Sequence, residues 1–241
     1  MRLRRRETPP RYALLPGDPG RVRRLAEHLE DPEITQDDPP FVEATGRVDG
    51  RPVLVAATGM GGPSVAVTVP RLAARGVDTF LRVGGAGPVA PDVVAHEIIV
   101  ASAAVRHEGA SASALPPSWP AVADPAVVEA LLRAARAQNR PVRCGVVHTK
   151  DSFFGEVDPS SSPVEDQLRS AWRSWQRLGV LASEMEASIL FCLASRHGWR
   201  AGAVVKVNDI GDHDEAAWVD DEDLCRLAVA GIANLVRGDH G

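Results

Sequence analysis

Residues 179–191 read GVLASEMEASILF and set two glutamates, Glu184 and Glu186, on either side of Met185 in otherwise apolar or small surroundings. A carboxylate taken out of water is costly unless it is hydrogen-bonded or paired. Either both acids turn to solvent or they have a ligand to hold. Two arginines carry the opposite charge. Arg21 follows GDPG near a helix start, and Arg82 sits immediately before GGAG at a strand end. Backbone N–H groups in glycine turns, joined to guanidinium forks, are the usual means of holding a phosphate-sized dianion. The bland alternative for each is a surface arginine, and the apolar DTFL before Arg82 argues against it there.

These groups need a frame, and the chain supplies one as strand, glycine-rich turn and helix, repeated. RYALL runs into PGDPG and the helical RVRRLAEHLE; RPVLVAA runs into TGMGGPS and VAVTVPRLAARG; DTFLRV runs into GGAGPVA, with HEIIVASAAV as the next strand. VRCGVVHT and AGAVVKV are further β-branched runs, and DPAVVEALLRAARAQ is helical with Asp124 as its N-cap. Alternating βα units with apolar strands predict an α/β domain whose mostly parallel sheet is covered by helices on both faces. Pro70 is expected to kink or divide the second helix. Residues 155–170, GEVDPSSSPVEDQLRS, read as a long polar loop, a lid or insertion. No repeat or linker divides the chain, so a single domain over residues 1–241 is expected. Ligands of such sheets sit at the carboxyl ends of the strands, where the glycine turns fall.

The formal net charge of −5 over 241 residues argues against a nucleic-acid surface. The basic run Arg2 and Arg4 to Arg6 lacks a following apolar stretch and reads as part of a solvated tail over residues 1–10. No apolar run approaches the roughly 20 residues needed to span a bilayer. Cys144, Cys192 and Cys225 are isolated, without zinc or redox spacing, and read as inert core residues of a cytoplasmic protein. No metal site is expected.

In this order, LLPGDPGRVRRLA, ATGMGGPSVAV, GVDTFLRVGGAG, VRHEGAS, WPAVAD, KDSFFGE and LASEMEAS resemble the nucleoside phosphorylase superfamily, in its uridine phosphorylase-like branch. The likeness runs from about Tyr12 to about Val207. It implies a central mixed, partly barrel-like sheet in one domain. It also implies a homo-oligomer, a dimer or a hexameric trimer of dimers, with active sites near subunit contacts. The implied reaction is phosphorolysis of a nucleoside to free base and ribose 1-phosphate, with inorganic phosphate as co-substrate and no cofactor. Such an enzyme must hold an anion below C1′, fix the ribose and stabilise charge on the leaving base. By resemblance Gly17, Arg21 and Arg82 bind phosphate; Glu184, Met185 and Glu186 bind ribose; Phe153 packs on the base. Arg82→Ala is then expected to abolish phosphorolysis with modest effect on folding.

Four departures from the family pattern matter. Gly85 stands where the family has a threonine, leaving only a backbone N–H for phosphate and removing a neutral hydrogen bond worth roughly 0.5–1.5 kcal/mol. DDPPFVE places Pro39 near the position of a phosphate arginine that a neighbouring subunit contributes, a charged contact worth about 1.5–3 kcal/mol. The N-terminal histidine that reaches a neighbour's ribose is not evident in MRLRRRETPP. Glu156 replaces a base-reading glutamine and Asp158 replaces an arginine. An ionised glutamate only accepts hydrogen bonds, so it should repel a uracil carbonyl and favour an edge rich in N–H donors, unless the loop turns it to solvent. Finally, Asp209 in VVKVNDIGD occupies the place of the aspartate that protonates a departing purine in related enzymes. The base is therefore uridine-like, altered or purine. An N-ribosyl hydrolase and a nucleoside-binding paralogue without turnover are the alternatives that a weakened phosphate site raises.

Overall fold

The computed structural model describes residues 9–38, 41–208 and 221–240. Its centre is β5 (Thr79–Pro88), which pairs in parallel with β1 (Tyr12–Pro16) and with β10 (Arg200–Val207). From β10 the sheet passes to β6 (Ile98–His107), β8 (Arg143–Lys150) and β9 (Ala182–Glu184). The last strand returns to β5 through Gly87 opposite Ser183 and Pro88 opposite Ala182. These five strands close into a barrel-like sheet. Beyond β1, the strands β4 (Arg51–Ala56), β3 (Glu43–Val48) and β2 (Glu30–Gln36) extend it, and β7 (Ala121–Val122) leans on β6.

The sheet is mixed. Parallel and antiparallel pairings are equally numerous, so the mostly parallel sheet expected from the βα pattern is corrected. The cause lies in two features without a periodic signal. Strand β2, EDPEITQ, is exposed at every position, and β9 is only three residues long.

Strand alternation divides the apolar side chains between two cores. Ala13, Leu15, Leu54, Ala56 and Phe80 face one way, toward α2 (Gly62–Ala73) and α7 (Ala187–His197). Tyr12, Leu14, Val53, Val55, Leu81 and Val83 face the other, toward α4 (Pro125–Ala137) and α8 (Glu222–His240). The short α1 (Pro19–Ala26) joins this second layer through Val22 and Leu25. Asp124 caps α4 as expected, accepting from the N–H groups of Ala126 and Val127.

Three local expectations change. The helix α2 continues through Pro70, because the proline sits in its last turn and disturbs little of the ladder. GGAG is not a turn but the second half of β5. Residues 155–170 are largely helical, with α5 (Phe154–Val157), a 3₁₀ turn at Pro159–Ser161 and α6 (Glu165–Arg177). Cys192 and Cys225 are buried as expected, whereas Cys144 is exposed. Among the described residues no helix is long and apolar enough to cross a membrane.

Candidate active site

The carboxyl ends of β1, β4, β5, β8 and β10 gather the chemically capable side chains, and β9 partitions them. Successive residues of a strand point to opposite faces. Glu184 therefore faces α7, while Ser183 faces the other way.

On the α7 face, Arg82 is bridged by two carboxylates. Its Nε donates to Glu184 Oε2 at 2.7 Å, and its Nη2 lies 2.5 Å from Glu186 Oε2. All three side chains are nearly inaccessible, at 6, 0 and 5% exposure. Glu184 also accepts from Thr149 Oγ1 at 2.5 Å and from the backbone N–H groups of Glu186 and Ala187, each at 2.9 Å. It thereby satisfies the start of α7, whose first N–H groups have no partner within the helix. Glu186 accepts from the N–H of Gly61 at 2.5 Å. Gly61 has φ +85°, a conformation that favours glycine. Burial acts against the charge on Arg82, but Glu186 and then Glu184 outweigh it and raise the guanidinium pKa. Burial pushes the Glu186 carboxyl up, against the pull of Arg82. With all three ionised, the cluster carries one net negative charge.

Glycines open the space around this cluster. A Cβ on Gly84 would lie 2.6 Å from Arg82 Nη2, so only glycine lets the guanidinium fold back over the strand. A Cβ on Gly85 would lie 2.6 Å from Asn208 Nδ2. The carboxamide of Asn208 thus fills the room in which the family's threonine side chain is expected. The turns after β1 and β4 adjoin, with a Cβ on Gly17 falling 3.1 Å from the carbonyl oxygen of Gly59.

Arg21 is placed differently. Rising from α1 on the opposite face of the sheet, its Nε binds Asp221, and its Nη1 reaches the carbonyl of Val83 at 3.4 Å. Asp221 is shared with Arg24 Nε at 2.7 Å. No single protein group among the described residues joins Arg21 to Arg82.

On the other face of β9, Glu156 binds Lys150 and accepts from Ser183 Oγ at 2.5 Å; its side chain is 8% exposed. It points inward, so the solvent-facing alternative is excluded. Lys150 Nζ also donates to Ser183 Oγ at 3.0 Å and lies 5.7 Å from the centroid of the Phe153 ring. Behind them, His148 Nδ1 is 3.1 Å from Ser183 Oγ, and its Nε2 is 2.9 Å from His107 Nδ1. The Ser183 hydrogen goes to Glu156, so His148 donates from Nδ1 and accepts from His107 at Nε2. Burial, helped by His107 and Lys150, pushes the His148 pKa down to about 3, and the ring is neutral at physiological pH. A cavity of about 580 Å³ opens here, lined by Glu156, His107, Arg173, Trp172 and Trp175 among others.

The structure thus brings Arg82, Glu184 and Glu186 together on one side of β9 and Phe153 and Glu156 together on the other. Met185 is half-buried between them. Gly85 pairs with β10 opposite Lys206. Asp209, Pro39 and most of the N-terminal tail lie outside the described residues. Sequence reasoning passed over Lys150, Ser183, His148, Thr149 and Asn208. Lys150 was the most findable, being the first letter of KDSFFGE and paired with its last, Glu156, but its other partner, Ser183, is distant in the chain.

A family model described as the phosphorylase superfamily matches residues 11–238. The chain is similar to a uridine phosphorylase of Treponema pallidum, 38% identical over 95% of this chain and 90% of the relative. It is 35% identical to a uridine phosphorylase of Escherichia coli, over 81% of this chain and 78% of the relative. It is 34% identical to a guanosine phosphorylase of Halorubrum lacusprofundi, over 87% and 83%.

Proposed function

The chain belongs to the phosphorylase superfamily, and we propose that it cleaves the N-glycosidic bond of a nucleoside with inorganic phosphate, releasing the base and ribose 1-phosphate. It is a pentosyltransferase of the uridine phosphorylase type. The observation that carries the site assignment is the buried Arg82–Glu186 pair beside the glycine turns.

Arg82 is the principal phosphate ligand. A phosphate dianion competes with Glu186 for Nη2 and relieves the cluster of its carboxylate bridge. Glu186, still oriented by the N–H of Gly61, is then free to accept from the ribose hydroxyls. Glu184 has its oxygens filled by protein donors and acts as a positioning residue, in place of the ribose contact expected from sequence. Asn208 supplies the neutral donor that Gly85 lacks. Arg21 is committed through Nε to Asp221 on the opposite face of the sheet from Arg82, so it ranks below Arg82. Asp209 remains the acid proposed for a purine leaving group, Met185 packs on the sugar, and Phe153 packs on the base.

We also place the enzyme in the cytoplasm as a homo-oligomer. Met60, 81% exposed, adjoins Gly61 beside the site, and its exposed apolar side chain is one that a second copy would cover. Sedimentation should give a dimer or a multiple of it.

Base release from uridine, deoxyuridine, cytidine, inosine, guanosine and adenosine, each with and without phosphate, tests the reaction. Release that requires phosphate is expected. Release at the same rate without phosphate would make the protein a hydrolase, and ligand-induced stabilisation without release would make it a binding paralogue.

A further inference from the structure

Resting on the reading that the base sits at Phe153 and Glu156, the arrangement around Lys150 decides which bases can leave. The chain has two acids, Glu156 and Asp158, where a base-reading amide and a cationic donor are expected, and acids alone cannot meet a carbonyl oxygen. Lys150 supplies the cation from another direction. It ends β8, is 7% exposed, and enters the site beneath Phe153 rather than from the loop. An ammonium has three N–H donors. Glu156 and Ser183 take two, and the third has no acceptor among the described residues. Glu156 is engaged through Oε2 alone, by Lys150 and Ser183, and Oε1 has no protein donor among those residues. One acceptor and one donor therefore stand side by side, which is the hydrogen-bonding pattern of an amide in ionic form.

We propose that the Lys150–Glu156 pair reads a base edge in which an N–H adjoins a carbonyl oxygen, and that Lys150 stabilises the base as it departs. The ring N–H donates to Glu156 Oε1, and the carbonyl oxygen accepts from Lys150 Nζ. Phosphate oxygen forms its bond to C1′ as the C1′–N bond breaks, and that bond's electron pair goes to the base. The negative charge spreads onto the carbonyl oxygen, beside the ammonium, inside a buried site where such an interaction is strongest. The base anion then takes its proton from water. Uracil and guanine both carry this edge, and their nucleosides, uridine and guanosine, occur in the names of similar enzymes. Cytosine and adenine have no N–H between ring carbons bearing such a carbonyl. The pair thus reverses the expectation that Glu156 repels a carbonyl. His148, donating to Ser183, keeps the serine hydrogen on Glu156 and so fixes the carboxylate in place.

The test compares wild type, Lys150→Met, Glu156→Gln and the double variant Lys150→Met/Glu156→Gln on uridine and 5-fluorouridine, the latter with the better-stabilised leaving anion, in phosphate. Lys150→Met should lower kcat/KM for uridine by about 10²–10³, as removal of an oxyanion donor does, and for 5-fluorouridine by much less. The double variant, with a neutral amide at 156, should regain uridine cleavage by about tenfold over Lys150→Met, because donor and acceptor are restored together. Equal losses on both nucleosides, or a double variant no faster than Lys150→Met, would overturn the assignment. Wild type that releases no base from either nucleoside would sink the phosphorylase reading itself, and this inference with it.

Discussion

The two faces of β9 carry two ion-paired networks of similar chemistry in unlike surroundings. Arg82, Glu184 and Glu186 are backed by α7, in which residues 187–194 are all buried. Lys150 and Ser183 lie under α5, which carries Glu156, and α6; apart from the inward Glu156 side chain, these two helices contribute nothing to the buried core. The first network is part of the core, and its geometry cannot change without repacking α2 and α7. The second is closed by an amphipathic cover whose Trp172, Trp175 and Leu168 line the cavity, so residues there can change with less effect on the fold. On the proposed reading, the contrast separates what every reaction of this kind shares, the sugar and the co-substrate phosphate, from what differs, the base.

The largest effect should come from breaking the core network. Arg82→Ala leaves two carboxylates buried without a cation, and loss of one partner of such a cluster costs about 3–5 kcal/mol. That is a large share of the total stability of a domain, about 5–15 kcal/mol. The modest folding effect expected from sequence is therefore corrected. Urea unfolding should register the loss, and Arg82→Met combined with Glu184→Gln and Glu186→Gln should recover stability while leaving phosphorolysis abolished. A single Arg82→Ala variant as stable as wild type would show that the carboxylates are not held as described.

The base-side network should reveal itself through pH. His148 is ordinarily protonated below 6.5 but in the fold only below about 3. The unfolded chain therefore takes up a proton that the native state refuses. The stability that neutral His148 contributes is present above pH 6.5 and is lost progressively as pH falls toward 3. Thermal unfolding from pH 7 to 5 should show this slope, and His148→Phe should flatten it. An identical slope in that variant would remove His148 as its source.

A smaller effect sharpens the boundary between the two regions. Gly85→Thr forces Asn208 aside, since the added Cβ meets its Nδ2 at 2.6 Å. Alone it should raise the KM for phosphate; paired with Asn208→Ala it should return phosphate affinity to within the value of one neutral hydrogen bond, roughly 0.5–1.5 kcal/mol. Equal phosphate KM in both variants would separate Asn208 from the phosphate site.

Much of this was legible beforehand, for identifiable reasons. Tyr12–Pro16 and Arg51–Ala56 announce themselves as apolar runs ending near glycine turns, Arg200–Val207 as a β-branched run, and Asp124 as a cap. Glu184 and Glu186 stood out because two acids in apolar company demand partners. Their partner Arg82 was identified, but as a phosphate ligand and not as their counter-ion, since residues 82 and 184 meet only when β9 closes onto β5. Strands β2 and β9 were not legible, one being wholly exposed and the other too short to show a period.

Residue order alone determined the apolar strands, the glycine turns after β1 and β4 and the buried character of the acid pair, because turn geometry and burial preference are properties of a few adjacent residues. The tertiary structure alone decided the closed barrel, the sorting of Ser183 and Glu184 to opposite sides, and the meeting of Lys150 with Ser183. Those depend on strand register. The pairing of His148 with Ser183 and Thr149 with Glu184 is set by packing across the whole sheet, and a shift of one residue would exchange the two faces.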